Sequence, residues 1–257
     1  MPEMNTSAIA VIAARLDDAA LNAQATHQLS EPVTLAEAYA IQSALLKRRY
    51  DRGEKRVGIK MGFTSRAKMV QMGVDEMIWG RLTDRMLVED GGSIDFKAFV
   101  HPRVEPEIAF LLAEPLAETV TPMAALSAVA GVAAALEIID SRYHQFKFSL
   151  SDVVADNSSS SAFVVGPWAD PRRDLSNLGM IMEFNGLERQ IGSSAAIMGN
   201  PIRSLVAAAR QAYAAGEPLQ AGDIIMAGGA TAAEALTPGQ HVRLRVQDLG
   251  SVEFNVR

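Results

Sequence analysis

The sequence predicts an α+β protein, with a helical N-terminal region over residues 1–77 and a β-rich body over residues 78–257. Two observations predict this class. Apolar residues recur at helical spacing through the first third of the chain, whereas from about residue 78 short apolar runs alternate with Gly, Pro, Asn and Asp. The sequence contains no repeat, low-complexity tract or long linker that would divide it, so we expect one compact unit.

Three helices are expected in the N-terminal region. The first covers residues 7–25, where apolar side chains follow a helical period. The second covers residues 33–50, because Thr34 and Glu37 have the spacing of a capping box and Gly53 follows the end. A short third helix is predicted over residues 64–73, with Thr64 or Ser65 as its cap and Gly73 as its stop.

The body shows the signals of two hairpins and one longer helix. Asn185-Gly186 suits the tight turn of a hairpin over residues 181–191, and residues 241–257 read as a second hairpin. Asn200-Pro201 begins a helix that is expected to stop at Gly216.

Composition excludes several classes of protein. Of the 257 residues, 49 % are hydrophobic and 21 % are charged, and the net charge of -6 argues against nucleic-acid binding. Apolar runs stay below the roughly 20 residues that cross a bilayer, and we expect no signal peptide, so a cytoplasmic location is predicted. The absence of Cys excludes disulfides, thiolate metal sites and a cysteine nucleophile.

Two carboxylates lie in an otherwise apolar run. Glu105 and Glu107 are two residues apart, so in a strand they share one face while Val104, Ile108 and Phe110 share the other. A third carboxylate, the side chain of residue 137, is embedded in the apolar run 132–139. Like charges that are buried together repel one another, so this group requires a neutralising partner.

A hard divalent cation is one such partner, because Mg²⁺ prefers oxygen ligands and leaves positions for water or substrate. The sequence therefore indicates a site for Mg²⁺ or Mn²⁺ at Glu105, Glu107 and Glu137. The alternative is a set of structural ion pairs with Arg103, Arg142 or Lys60. Glu137, as a third buried carboxylate, favours the metal.

Lys60 lies between Gly58 and Gly62 in an apolar strand. Considered alone, it fits a side chain that snorkels from a sheet edge. Beside a metal-carboxylate centre it would instead stabilise negative charge on a substrate.

Two polar segments are further candidates for a binding site. Asp156-Asn157 with four following serines, residues 158–161, reads either as a turn or as hydroxyl donors lining a pocket. Gly228-Gly229 follows a strand and would allow a close backbone approach to a ligand. The four histidines show no metal-ligand spacing, and a Ser-His-Asp hydrolase has no nucleophile-elbow motif to support it.

Five segments resemble the hydratase and decarboxylase branch of the fumarylacetoacetate hydrolase superfamily. They occur in the family's order and are KMGFTS (60–65), PRVEPEIAF (102–110), EIIDSRY (137–143), VVADNSSS (153–160) and LGSV (249–252). The resemblance implies a mixed β-roll core behind an N-terminal helical region. It also implies that Glu105, Glu107 and Glu137 hold Mg²⁺ or Mn²⁺.

Within this branch, the resemblance favours the decarboxylases. Hydratases typically carry an Asp where this chain has Ile78, and a GALGP-like motif where it has GGATAA, residues 228–233. The implied reaction converts 2-oxohex-3-enedioate, a small dicarboxylate 2-oxo acid, to 2-hydroxypenta-2,4-dienoate and CO2 in meta-cleavage degradation of aromatic compounds. Lys60 would be catalytic, and the expected substrate contacts are Ile78, Asn157, Ser160 and Thr231.

Other functions remain open at this stage. The first alternative is a 2-hydroxypenta-2,4-dienoate hydratase, and the others are a C–C hydrolase and a non-catalytic metal-dependent interaction module. The resemblance further implies a homo-oligomer and a complex with the hydratase of the same pathway.

Overall fold

A computed structural model describes residues 4–30, 33–65, 69–70 and 77–257 of the chain. It begins with two packed helices, α1 (Thr6–Leu21) and α2 (Leu35–Asp51). The predicted capping box is confirmed, because Thr34 Oγ1 accepts a hydrogen bond from Glu37 N at 3.2 Å and Glu37 Oε2 accepts one from Thr34 N at 2.8 Å. The third predicted helix, over residues 64–73, falls mainly outside the described residues.

The larger of the two described sheets mixes parallel and antiparallel pairs. Its strands are β1 (Arg56–Gly62), β2 (Ile78–Thr83), β3 (Leu87–Val88), β5 (Arg103–Leu112), β6 (Val129–Ile139), β7 (Ser160–Val165), β10 (Ile224–Met226) and β11 (Glu234–Ala235). They follow the order β2-β1-β10-β5-β6-β7-β3, with β11 paired to β5. The pairs β1–β10 and β3–β7 are parallel, and the others are antiparallel.

The second sheet carries both predicted hairpins. Its strands are β4 (Ser93–Ile94), β8 (Gly179–Phe184), β9 (Leu187–Ser193), β12 (His241–Val246) and β13 (Gly250–Val256), in the order β4-β13-β12-β8-β9. Asn185 and Gly186 turn between β8 and β9 with φ angles of 52° and 78°, as a primed turn requires. Both hairpin predictions are confirmed.

Three further α-helices that lie wholly within the described residues, together with several short 3₁₀ segments, connect the strands. The helices are α3 (Pro122–Ser127), α4 (Leu150–Ala155) and α5 (Pro201–Ala214). The 3₁₀ segments are Asp84–Met86, Phe96–Ala98, His144–Phe146, Asn157–Ser159 and Ser194–Ala196. The helix predicted after Asn200 is confirmed, since Asn200 caps it and Gly216 follows with a φ of 75°. Among the described residues, no helix is long and apolar enough to cross a membrane.

The larger sheet buries a different apolar cluster on each face. One face packs against the second sheet, as Leu136 of β6 and Val252 of β13 show by sharing a cluster. The other face carries a small cluster that includes Ala109, Ala135 and Phe163. Full burial of one large aliphatic or Phe side chain contributes about 1.5–3 kcal/mol, so both clusters stabilise the sheet.

The structure confirms an α+β fold with a mixed β-roll core and an N-terminal helical region. The proposed boundary at residue 77, however, separates two strands that pair with each other. β1 pairs antiparallel with β2, and Lys60 lies opposite Gly80. The core sheet therefore uses residues from both predicted regions.

Candidate metal centre

The register between β5 and β6 gathers the three carboxylates. Glu105 lies directly opposite Glu137, and Glu107 follows two residues later on the same face. One oxygen atom from each carboxylate lies within 4.8 Å of the other two. All three residues are buried, and Glu107 and Glu137 are 0 % exposed. The alternation of β5 thus produces the predicted cluster.

Gly228 and Gly229 allow the chain after β10 to pass against these carboxylates. Gly228 N donates a hydrogen bond of 2.8 Å to Glu107 Oε2. A Cβ on Gly229 would lie 2.9 Å from the Glu105 carboxylate carbon, and a Cβ on Gly228 would lie 2.2 Å from Thr64 Oγ1. A close backbone approach was predicted here, and the structure shows that its target is the carboxylate cluster.

Lys60 is the cation of the cluster. Its Nζ lies 3.0 Å from Glu137 Oε1 and 3.1 Å from Glu137 Oε2. The Lys60 side chain is only 4 % exposed, and β1 lies between β2 and β10. The snorkelling interpretation is therefore wrong, because the strand is internal and the ammonium group does not reach water.

Burial raises the pKa of Glu107 well above its ordinary value, and the neighbouring Glu137 raises it further. Burial also raises the pKa of Glu137, although the ammonium group of Lys60 partly offsets this effect. Taken by themselves, three ionised carboxylates and the ammonium group of Lys60 carry a net charge of -2. A divalent cation would balance that charge.

The residues present fit such a cation. Glu107 Oε1 is buried and makes no hydrogen bond within the described ranges. The three acidic side chains offer oxygen ligands only, which are the ligands of Mg²⁺ and Mn²⁺ rather than of softer metals. Glu105, Glu107 and Glu137 are thus the residues that would hold the metal.

The ion-pair alternative loses two of its three proposed partners. Arg142 Nε donates to Asp156 Oδ1 at 2.5 Å, and Arg142 Nη1 donates to Ser161 Oγ at 2.6 Å. Arg103 lies over the ring of Phe146, with 4.5 Å between the guanidinium carbon and the ring centre. Lys60 does form an ion pair, and the carboxylate is that of Glu137.

The Asn157 side chain is hydrogen-bonded to the backbone of β2, and its predicted contact with substrate stays a prediction. Its Oδ1 accepts a hydrogen bond from Arg81 N at 2.8 Å, and its Nδ2 donates one to Arg81 O at 2.9 Å. The side-chain amide of Asn157 is therefore hydrogen-bonded to the backbone of β2 through both its oxygen and its nitrogen. Gly80 permits this contact, because a Cβ there would lie 2.5 Å from Asn157 O.

The serine run contains two buried hydroxyls with free hydrogen-bonding capacity. Asn157, Ser158 and Ser159 have successive φ angles of 49°, 51° and 60°, a left-handed turn that non-glycine residues rarely adopt. Ser158 Oγ donates to Trp79 O at 2.8 Å. The Oγ atoms of Ser159 and Ser160 are buried and have no hydrogen-bond partner in the described part of the chain. Four consecutive serines give no sequence signal that separates them, and the predicted contact of Ser160 with substrate stays a prediction.

Ile78 lies on the sheet face that carries Lys60. It pairs with Gly62, while Lys60 pairs with Gly80, and residues directly opposite in a ladder point to one side. Ile78 is 3 % exposed and belongs to the apolar cluster that contains Val154. This burial makes the surroundings of the site poor in water near β2.

Thr231 packs beside β9. Its Oγ1 donates to Ala232 O at 3.2 Å, and its methyl carbon Cγ2 would lie 2.6 Å from a Cβ on Gly192. Both contacts of the Thr231 side chain are thus with other residues of the protein. The predicted contact of Thr231 with substrate stays a prediction.

The histidines lie outside the acidic cluster. His101 Nδ1 is 3.7 Å from Asp140 Oδ1, but the Asp140 carboxylate accepts hydrogen bonds from the backbone N–H groups of Val100 and His101. His241 Nε2 is 3.5 Å from Glu253 Oε2 at the surface. These contacts provide no His-centred base beside the three carboxylates.

Comparisons with known proteins agree with this geometry. Residues 58–257 match the model of the fumarylacetoacetate (FAA) hydrolase C-terminal family. The chain is 59 % identical to a 4-oxalocrotonate decarboxylase of a Pseudomonas species, over 96 % of this chain and 97 % of that relative. It is 38 % identical to a 2-keto-4-pentenoate hydratase of Paraburkholderia xenovorans (strain LB400), over 84 % of this chain and 81 % of that relative.

A solved structure is similar along the whole chain. It is that of 4-oxalocrotonate decarboxylase from Pseudomonas putida G7 complexed with magnesium and adipate. Its TM-score is 0.95 at 37 % sequence identity, and the match covers 100 % of both chains.

Proposed function

The chain belongs to the fumarylacetoacetate hydrolase family, and on that premise we propose that it decarboxylates 2-oxohex-3-enedioate, also called 4-oxalocrotonate, with Mg²⁺ or Mn²⁺. The products are 2-hydroxypenta-2,4-dienoate and CO2. The observation that carries the proposal is the buried cluster of three carboxylates beside Lys60. The 59 % identity to a 4-oxalocrotonate decarboxylase exceeds the 38 % identity to the hydratase and favours decarboxylation.

The reaction breaks the bond between C5 and the distant carboxyl carbon of the substrate. The electron pair of that bond moves through the C3–C4 double bond to the 2-oxo oxygen, and protonation of that oxygen gives the dienol. When bound, the divalent cation supplies positive charge where negative charge develops, an effect worth several kcal/mol.

Lys60 adds a second positive charge at this position. Its ammonium group is fixed by Glu137 in a buried environment, where electrostatic interactions are stronger than in water. From there it stabilises the developing enolate or the neighbouring C1 carboxylate.

Apolar groups and hydroxyl groups surround the departing carboxylate of the substrate in this proposal. Ile78 and its apolar cluster exclude water, which favours neutral CO2 over the carboxylate anion. Ser159 and Ser160 offer buried hydroxyl donors that orient the substrate. Asn157 supports them by fixing their turn to β2 rather than by contacting substrate.

The test is an assay of purified protein with 2-oxohex-3-enedioate and Mg²⁺, following CO2 and dienoate in equal amounts. Rapid hydration of 2-hydroxypenta-2,4-dienoate, with 2-oxohex-3-enedioate left untouched, would make the hydratase the correct function. Tight Mg²⁺ binding without turnover of either compound would identify a non-catalytic module.

The resemblance also supports proposals about the protein's oligomeric state, its protein partner and its location in the cell. A homo-oligomer would be seen by light scattering, and a complex with the pathway's hydratase by co-elution of the two purified proteins. Because its substrate arises within a catabolic pathway, we propose that the enzyme works in the cytoplasm.

A further inference from the structure

A cavity lies apart from the carboxylate cluster. Its volume is about 190 Å³, and it is bounded by the C-terminal ends of α1 and α2, residues 85–86, residues 98–99, and the segment after β6. Lys60 and the three clustered glutamates do not line it. Because one water occupies about 30 Å³ in the liquid, the cavity has room for a small polyatomic anion with some water.

Arg49 projects its charge into this cavity without a hydrogen bond. The Arg49 side chain is 10 % exposed, and it faces the carboxylate of Asp17, whose Oδ1 lies 3.8 Å from Arg49 Nε. That separation exceeds hydrogen-bonding distance, and no other described residue is hydrogen-bonded to the guanidinium. Burial lowers the pKa of Arg49, and the positive charge of Arg142 lowers it further.

The acidic residues of the cavity are already occupied by other partners. Asp17 accepts hydrogen bonds of 2.7 Å from both Arg48 and Arg52. Asp140 accepts hydrogen bonds from two backbone N–H groups, and Glu54 accepts one from the hydroxyl of Thr83 at the end of β2. These carboxylates therefore do not supply a hydrogen-bonding counter-ion for Arg49.

Arg85 adds a second available guanidinium at the rim. It is exposed, lines the same cavity, and its side chain makes no ion pair or hydrogen bond with the described residues. Arg142 also lines the cavity, but its donors serve Asp156 and Ser161. Of the four guanidinium groups that line the cavity, those of Arg49 and Arg85 make no hydrogen bond with the described residues, whereas those of Arg52 and Arg142 do.

We propose that this Arg49 cavity binds a small oxyanion, a phosphate or a carboxylate, between Arg49 and Arg85. Guanidinium groups match oxyanions with paired N–H donors, and a bound anion would balance the buried charge of Arg49. Because α1, α2 and the strand connections all border the cavity, the bound anion would strengthen the attachment of the helical region to the sheet.

Thermal unfolding of the Mg²⁺-loaded protein tests this site. Sodium phosphate and sodium succinate are compared with sodium chloride at equal ionic strength, for wild type, Arg49→Met and Lys47→Met. Lys47 is the matched control because it lies on α2 but is exposed and paired with Asp51. At a concentration about 100-fold above Kd, the effective anion should raise the Tm of wild type and Lys47→Met by about 5 °C. Arg49→Met should lose that rise.

Two further variants make the result specific. Lys60→Met should retain the rise, because an anion at the carboxylate cluster would depend on Lys60 and one in the Arg49 cavity would not. Arg85→Met should reduce the rise, and it provides a surface substitution if Arg49→Met fails to fold. A response to phosphate or to succinate alone identifies the ligand class. Equal rises in wild type, Arg49→Met and Arg85→Met, or no rise beyond chloride in wild type, would overturn the proposal.

Discussion

Glu107 is fully buried, and one of its carboxylate oxygens lacks a hydrogen bond within the described segments. Without a cation the protonated form is therefore favoured, which is why its pKa is raised. Relative to the unfolded chain, this proton stabilises the metal-free protein fully below the ordinary value of 4.5, and the stabilisation is lost as pH rises through the raised pKa.

Glu107→Gln should remove that pH-dependent loss and weaken Mg²⁺ binding by at least about 10-fold. The metal-free variant should be no less stable than metal-free wild type at pH 8, because repulsion among the carboxylates falls. Denaturant unfolding between about pH 4.5 and 8 measures this, with the exposed Glu114→Gln as control. A strongly destabilised metal-free Glu107→Gln would instead indicate a structural ion pair.

Lys60→Met should lower the decarboxylation rate by about 100-fold at saturating Mg²⁺, the size of effect seen when one charge-stabilising donor is removed. Mg²⁺ affinity should stay equal or increase, because the ammonium group repels the cation. Lys60→Arg, which keeps the charge, should recover part of the rate. Steady-state kinetics and calorimetric Mg²⁺ titration separate the two effects. Wild-type kinetics in Lys60→Met would remove Lys60 from the reaction.

At the scale of elements, the segment after β10 is fitted to the carboxylates on β5. Gly229→Ala would place a Cβ 2.9 Å from the Glu105 carboxylate and should displace it. We expect weaker Mg²⁺ binding by about 10-fold, with a smaller effect on the stability of the metal-free protein. Gly179→Ala is the matched control, since its Cβ would meet only Gln247 Oε1 at 3.7 Å. Equal Mg²⁺ affinity in both variants would contradict the fit.

The turn at residues 157–159 is held to β2 by the hydrogen bonds of the Asn157 side chain. Asn157→Ala removes two buried hydrogen bonds to Arg81 and should destabilise the protein by about 2–4 kcal/mol. The decarboxylation rate should fall as well, since Ser159 and Ser160 lose their support. Denaturant unfolding and kinetics distinguish this from a substrate contact. A higher KM with unchanged stability would show that the amide binds substrate directly.

At the scale of the whole molecule, a bound cation would link β5 to β6 and relieve repulsion inside the sheet. Chelator treatment should abolish turnover and lower the Tm, by about 5–10 °C relative to Mg²⁺ at 100-fold above Kd. Added Mg²⁺ or Mn²⁺ should restore both. Glu137→Gln serves as the control and should show a much smaller Mg²⁺-dependent rise. Full activity in metal-free protein would exclude the assigned site.

Local patterns predicted much of this architecture. The Thr34–Glu37 capping box, the Asn185-Gly186 turn and the helix after Asn200 depend on neighbouring residues, and their chemistry is visible in the sequence. The alternation of β5 likewise predicted that Glu105 and Glu107 share a face.

Contacts between residues far apart in the sequence could not be predicted from local patterns. Gly228 N reaches Glu107 across 121 positions, and the Asn157 amide reaches Arg81 across 76. Contacts between residues so far apart in the sequence depend on which strands become neighbours in the sheet. The placement of β1 inside the sheet has the same origin, because a strand's neighbours are set by topology and not by its own residues.

That placement has a consequence for biosynthesis. β10 (Ile224–Met226) lies between β1 and β5, so the strand of Lys60 and the strand of Glu105 and Glu107 meet only through a late segment. A nascent chain in which β10 has not yet been synthesised cannot complete the sheet. Its clustered glutamates then repel one another without the nearby charge of Lys60. The ammonium group of Lys60 should therefore reach Glu137 only after β10 has been synthesised and has paired with both β1 and β5, so the charge balance of the site is completed late in folding.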